Sequence, residues 1–116
     1  MHKQLQALVD VFESDEQLKH LEIEIDEVCG SIEVVGGLHR YYEIFELSYD
    51  SRSKRYDLMI KKPFNYGETL TSAKLQRLLN HEVEFCIYRD HIVFLKVNID
   101  LDNLIEIVKF LLIAVD

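Results

Sequence analysis

The chain has 116 residues, enough for a single domain with a sizeable core. Apolar residues make up 48% and charged residues 29%, which excludes a disordered chain. Thirteen basic against 21 acidic residues give a net charge of −8, which argues against a general phosphate-binding surface and so against direct nucleic-acid binding.

In chain order, Leu5, Leu8, Val9 and Phe12 recur at i, i+3, i+4 and i+7, one face of a first helix that Ser14-Asp15-Glu16 ends. Residues 21–26 alternate, with Leu21, Ile23 and Ile25 on one face and Glu22, Glu24 and Asp26 on the other, as in a strand with one wet side. A shorter strand over residues 31–35 follows a bend at Gly30, and Gly36-Gly37 is a turn signal. Residues 41–49, rich in aromatic and β-branched side chains, read as a strand, and the polar run 50–54 as a hairpin loop. Tyr56, Leu58 and Ile60 alternate with Asp57, Met59 and Lys61 until Pro63, which lacks the N–H a ladder needs.

Thr69 or Thr71 caps a second helix bearing Leu75, Leu78 and Leu79, and Asn80 is the expected stop because asparagine tolerates the left-handed conformation. Val83, Phe85 and Ile87 predict a strand, residues 89–91 a tight turn, and residues 92–97 the hairpin partner. Asp100 or Asp102 caps a last helix, Leu101–Val115. There Leu101, Leu104, Ile105, Val108, Leu111, Leu112 and Val115 form one stripe. Ile107, Phe110 and Ile113 lie off it. A helix apolar on nearly every side needs cover from a second element or a second chain, so these three are candidate dimer-interface residues.

No constellation points to catalysis or to a metal. His2, His20, His39, His81 and His91 fall in no metal-ligand spacing, and the glycines lack the Gly-Lys-Ser/Thr ending of a phosphate loop. Cys29 and Cys86 sit in strand-like apolar runs, where cysteine usually serves as a small buried hydrophobe. The N-terminus has no signal-peptide core, and the last helix is too short and too charged to span a membrane, so the expected compartment is the cytosol.

The middle third is dense in aromatics, and Arg40, Arg52, Lys54, Arg55, Lys61 and Lys62 lie among them. Aromatic and arginine side chains are favoured at interfaces, so Tyr42, Ile44, Phe45, Tyr56 and Phe64 are candidates for a partner-docking face.

These elements define an α+β domain, an antiparallel sheet with helices packed on it, in the order α-β-β-β-α-β-β-α. That order resembles the type III secretion chaperone fold and is similar to the YbjN family. The local likeness is in the last third, where the strand pair of residues 83–100 runs directly into the acidic-capped apolar helix of residues 101–116. The resemblance implies a homodimer that holds a partner protein, often as an extended segment on apolar sheet patches, with no catalysis and no cofactor. The competing expectation is a small acidic inhibitor, an immunity or anti-defence protein that blocks a target enzyme. It rests on the net charge and on the carboxylate row Glu22, Glu24, Asp26 and Glu27.

Overall fold

A computed structural model describes residues 3–37, 42–63 and 71–115, with the backbone course alone at 74 and 112–115. The elements are α1 (Lys3–Ser14), β1 (Glu22–Asp26), β2 (Ser31–Gly36), β3 (Ile44–Asp50), β4 (Arg55–Pro63), α2 (Ser72–Asn80), β5 (Glu84–Ile87), β6 (His91–Ile99) and α3 (Leu101–Val115). The α+β class with an antiparallel sheet is as expected. The first run holds four described strands rather than three, because residues 31–36 form a strand of their own that pairs with β1 and, over residues 31–33, with β3.

The six described strands form one antiparallel sheet, β1-β2-β3-β4-β6-β5. Period-two alternation sends one set of side chains to the core. Phe45, Ile60, Phe94 and Phe85 stand in register across four strands, beside Ile32, Leu47 and Leu58. Leu5, Leu8 and Phe12 of α1, Leu78 of α2, and Leu104, Val108 and Leu111 of α3 join the same cluster. The described helices therefore pack on one face. β1 is an edge strand, so although Ile23 and Ile25 point to the core side, Ile25 keeps 38% of its surface exposed.

One irregularity sets the phase of the last third. Leu58 pairs with Lys96 but Tyr56 pairs with Ile99, so β6 carries one residue more than β4 across this step. The bulge holds Asn98 at φ +56°. Asp57 Oδ1 accepts the Asn98 N–H at 3.1 Å, and Arg55 Nη1 donates to the Asn98 carbonyl at 3.2 Å. Even-numbered Ile92 and Phe94 face the core before the bulge and odd-numbered Ile99 faces it after. Asp100 follows at once as the α3 N-cap, its Oδ1 accepting the Asn103 N–H at 2.9 Å.

α2 ends at the expected Asn80, but the left-handed residue that turns the chain is not Asn80 and comes two positions later. Glu82 takes the left-handed conformation at φ +57°. Its N–H donates to the Leu79 carbonyl and the Val83 N–H to the Leu78 carbonyl, the bond pattern of a Schellman motif. Val83 is thereby folded onto the core next to Leu78, both buried. The outcome is set by that apolar contact rather than by which residue best tolerates positive φ. Lys96, on the core side of β6, places Nζ 2.9 Å from the His81 carbonyl, at the negative end of the α2 dipole.

The turn after α1 depends on Asp15. Its Oδ1 accepts the N–H groups of Gln17 and Leu18, tucking Leu18 into the core, while Oδ2 lies 2.6 Å from Lys109 Nζ on α3. The Lys109 ammonium, foremost, and the two N–H groups hold the Asp15 carboxyl below its ordinary value.

Two predictions follow from this geometry. Asn98→Val places a β-branched residue at positive φ and lowers stability by about 1–2 kcal/mol in urea unfolding, whereas Asn98→Gly leaves it nearly unchanged. Because the folded-state value of Asp15 is depressed, its contribution is present above the unfolded carboxyl value near 3.8 and is lost as pH falls through the lower folded value. Lys109→Met therefore flattens the loss of stability that the wild-type chain shows below about pH 4, read by urea titrations at stepped pH.

Candidate functional site

The side of the sheet facing away from the helices has a composition the core side does not explain. The strand registers align Glu24, Glu33, Glu46, Met59, Leu95 and Glu84 in one cross-strand row running over all six strands. None of the three described helices packs there. Directly opposed side chains on neighbouring strands stand about 5 Å apart at Cβ, and like charges so placed are destabilising. The run Glu24, Glu33, Glu46 is three carboxylates in succession. It weakens the sheet it sits on.

Next to this run the row turns apolar. Met59 and Leu95 are half-buried, as are Ile44 and Val93 in the adjacent row Ile44, Lys61, Val93, Cys86. Lys61 in that row is drawn sideways to Glu43, 3.2 Å from its carboxylate. The outer face thus has an acidic half on β1, β2 and β3 and an apolar half on β4 and β6. In the acidic half, Glu24, Asp26, Glu27, Glu33 and Glu46 surround an open hollow of about 550 Å³ together with Ile25 and Ser31.

The edge of that hollow is built locally. Asp26 Oδ1 accepts the N–H groups of Val28 and Cys29, a turn that ends β1. The Cys29 N–H, first, then its thiol and the Val28 N–H hold the Asp26 carboxyl low, and the same carboxylate pushes the Cys29 thiol up. Both cysteines are free and exposed, a correction to their expected burial. Cys29 falls in the turn rather than in a strand, and Cys86 lies on the edge strand β5.

The residues singled out as a docking face divide. Tyr42, Phe45 and Tyr56 are core residues. Tyr42 and Phe45 meet edge to face at 5.6 Å, and the Tyr56 hydroxyl donates to the Gln4 carbonyl at 2.9 Å. Ile44 lies on the outer face, and Phe64 lies outside the described residues. The basic residues scatter likewise. Lys62 is buried on the core side, Arg55 serves the bulge, Arg52 and Lys54 occupy the β3–β4 turn, and Arg40 lies outside the described residues.

The proposed dimer face of α3 is partly covered within the chain. Ile107 and Phe110 pack against the core cluster, and Phe110 stacks on His81 beyond the end of α2 at 4.0 Å. The Ile113 side chain lies outside the described residues. A second hollow, about 300 Å³ between the bulge, α2 and α3, contains Arg55, Lys96, Asn98 and Asp100. The polar groups of all four already make the contacts of the bulge and caps described above. Among the described residues no group of three or more His, Cys, Asp or Glu side chains is placed to hold a metal ion. No described helix is long and apolar enough to cross a membrane.

Alternation alone marks Glu33 and Glu46 as outward, each being flanked by two core residues. That they stand beside Glu24 and lead into Met59 and Leu95 requires the register of four strand pairs. No protein-family model matches this chain, and no curated protein or solved structure matches it significantly.

Phe45→Ala should lower stability by about 3–5 kcal/mol in urea unfolding, as deletion of a buried ring does. Ile44→Ala, one residue away on the outer face, should lower it by roughly 1 kcal/mol.

Proposed function

We propose that this is a non-enzymatic protein-binding domain, chaperone- or adaptor-like, that holds a basic, partly apolar partner segment on the outer face of its sheet. The observation that carries this reading is the cross-strand row in which three opposed carboxylates lead directly into Met59 and Leu95. Three like charges in register oppose folding, and a cationic partner relieves them. The half-buried apolar side chains beside them supply area that a partner removes from water at about 25 cal/mol per Å². A segment alternating lysine or arginine with leucine or valine fits both halves.

A second reading is supported by the acidic hollow itself. Its carboxylates on β1, β2, β3 and the β1–β2 turn suit a small inhibitor that occupies the cationic site of an enzyme, as a charge mimic of a nucleic acid does. Such a protein depends on the carboxylates and not on the apolar half, and its association is steered by charge.

The test is chemical-shift mapping of the full, isotopically labelled chain with two synthetic peptides, one alternating lysine and leucine and one of lysine alone. Adaptor-like binding gives shifts along Glu24, Glu33, Glu46, Met59 and Leu95, stronger with the alternating peptide. They weaken as salt rises to about 0.15 M and disappear in Glu33→Lys/Glu46→Lys. Equal response to both peptides, with no effect of Met59→Ser, favours the charge mimic. Shifts confined to the helix side overturn both.

A further inference from the structure

Among the described residues the sheet ends in two edge strands, β1 and β5, and they are unlike. β1 displays Glu22, Glu24 and Asp26 and is bulged at Glu22/Ile23, devices that keep edge strands from pairing. β5 has the sequence Glu-Phe-Cys-Ile, with no lysine, no proline and no bulge against β6. Its last residue, Ile87, is 51% exposed, and Tyr88 just beyond it is 49% exposed.

The hydrogen-bond phase of β5 follows from its hairpin. The Tyr88 N–H donates to the His91 carbonyl at 2.8 Å, so Tyr88 and His91 form a hydrogen-bonded pair. Alternation then directs the backbone groups of Cys86 and Glu84 toward β6, and those of Phe85 and Ile87 outward to the free edge.

We propose that this edge pairs with β5 of a second copy of the chain, antiparallel about a two-fold axis at Cys86, joining two six-stranded sheets into one. This register sets Phe85 opposite Ile87 of the other copy, and these are the two residues whose backbone groups are available for bonding. It uses every outward donor and acceptor of the four-residue strand. The pair lies on the core side, so the exposed Ile87 extends the row Phe45, Ile60, Phe94 and Phe85 across the junction. On the outer side Glu84 meets Tyr88 of the other copy, not another carboxylate. Antiparallel pairing also brings the Arg89 end of one strand to the Glu82 and Glu84 end of the other, so the charges at the edge are self-complementary. The β1 edge, paired with itself, brings carboxylate against carboxylate. This inference rests on the edge alone and is independent of what the outer face binds.

The axis sets Cys86 opposite Cys86 as a non-hydrogen-bonded pair, with Cα atoms about 4.5 Å apart, within the span of a disulfide. The experiment uses the full chain at several concentrations. Light scattering is expected to give twice 13.7 kDa for the wild type, and 13.7 kDa for Ile87→Lys at concentrations where the wild type is dimeric. Val97→Lys, at a comparably exposed apolar position away from the edge, should stay dimeric. Circular dichroism establishes that each variant is folded. Diamide, which takes two electrons and two protons from two thiols and is itself reduced to the hydrazine, should cross-link Cys29→Ser into covalent dimers and leave Cys86→Ser uncross-linked. A wild type that stays monomeric throughout overturns the proposal. So does a dimer that Ile87→Lys leaves intact, or one whose cross-link requires Cys29.

Discussion

The constraint on which the last third of the molecule depends is the bulge that Asp57 and Asn98 hold between β4 and β6. Without the extra residue, the alternation that buries Ile92 and Phe94 would leave Ile99 in water and start α3 from the wrong side of the sheet. The two groups that fix it, the Asp57 carboxylate and the Arg55 guanidinium, both come from β4, the strand β6 pairs with. Sheet pairing and helix placement are therefore one event. Once Ile99 turns inward, Asp100 is in place to cap α3, and the Leu104, Val108 and Leu111 stripe lies down on the core.

The position of α3 then organises the other helices. Lys109 reaches Asp15 in the turn after α1, and Phe110 meets His81 beyond the end of α2. The second apolar side of α3, which from composition alone called for another element or another chain, finds part of its cover inside the chain. The Schellman stop of α2 belongs to the same arrangement. It turns the backbone so that Val83 packs beside Leu78 and β5 starts at the sheet edge, with Lys96 of the neighbouring strand closing the helix end.

With the described helices gathered on one side, the sheet keeps a second face whose composition serves no packing purpose among the described residues. Three carboxylates in register, then two half-buried apolar side chains, form a surface of two chemistries on a rigid support. A rigid sheet holds these groups at fixed spacing, so a partner loses little in reorganising them. The sheet's edges divide roles in a related way. One is protected by charge and a bulge, while the other is short, neutral at its centre and self-complementary.

Much of this was legible in the residues. The period-3.6 stripes of α1 and α3, the period-two strands, Pro63 as the end of β4 and an aspartate cap before α3 each follow from local chemistry, since each depends on residues within one or two turns of chain. What the sequence could not supply was register. Aromatic density in residues 41–49 suggested a docking face, yet Tyr42 and Phe45 are core, because which face of a strand is buried is decided by where the helices lie. Glu33 and Glu46 show as outward from alternation alone, but their alignment with Glu24 and Met59 comes from pairing between distant strands. The bulge at Asn98 was equally hidden, since its fixing groups lie some 40 residues away in β4. Local periodicity determined the elements and the hydrophobic side of most of them. Tertiary pairing decided which outward residues became neighbours, because a β-ladder brings together side chains that nothing in the linear chain connects.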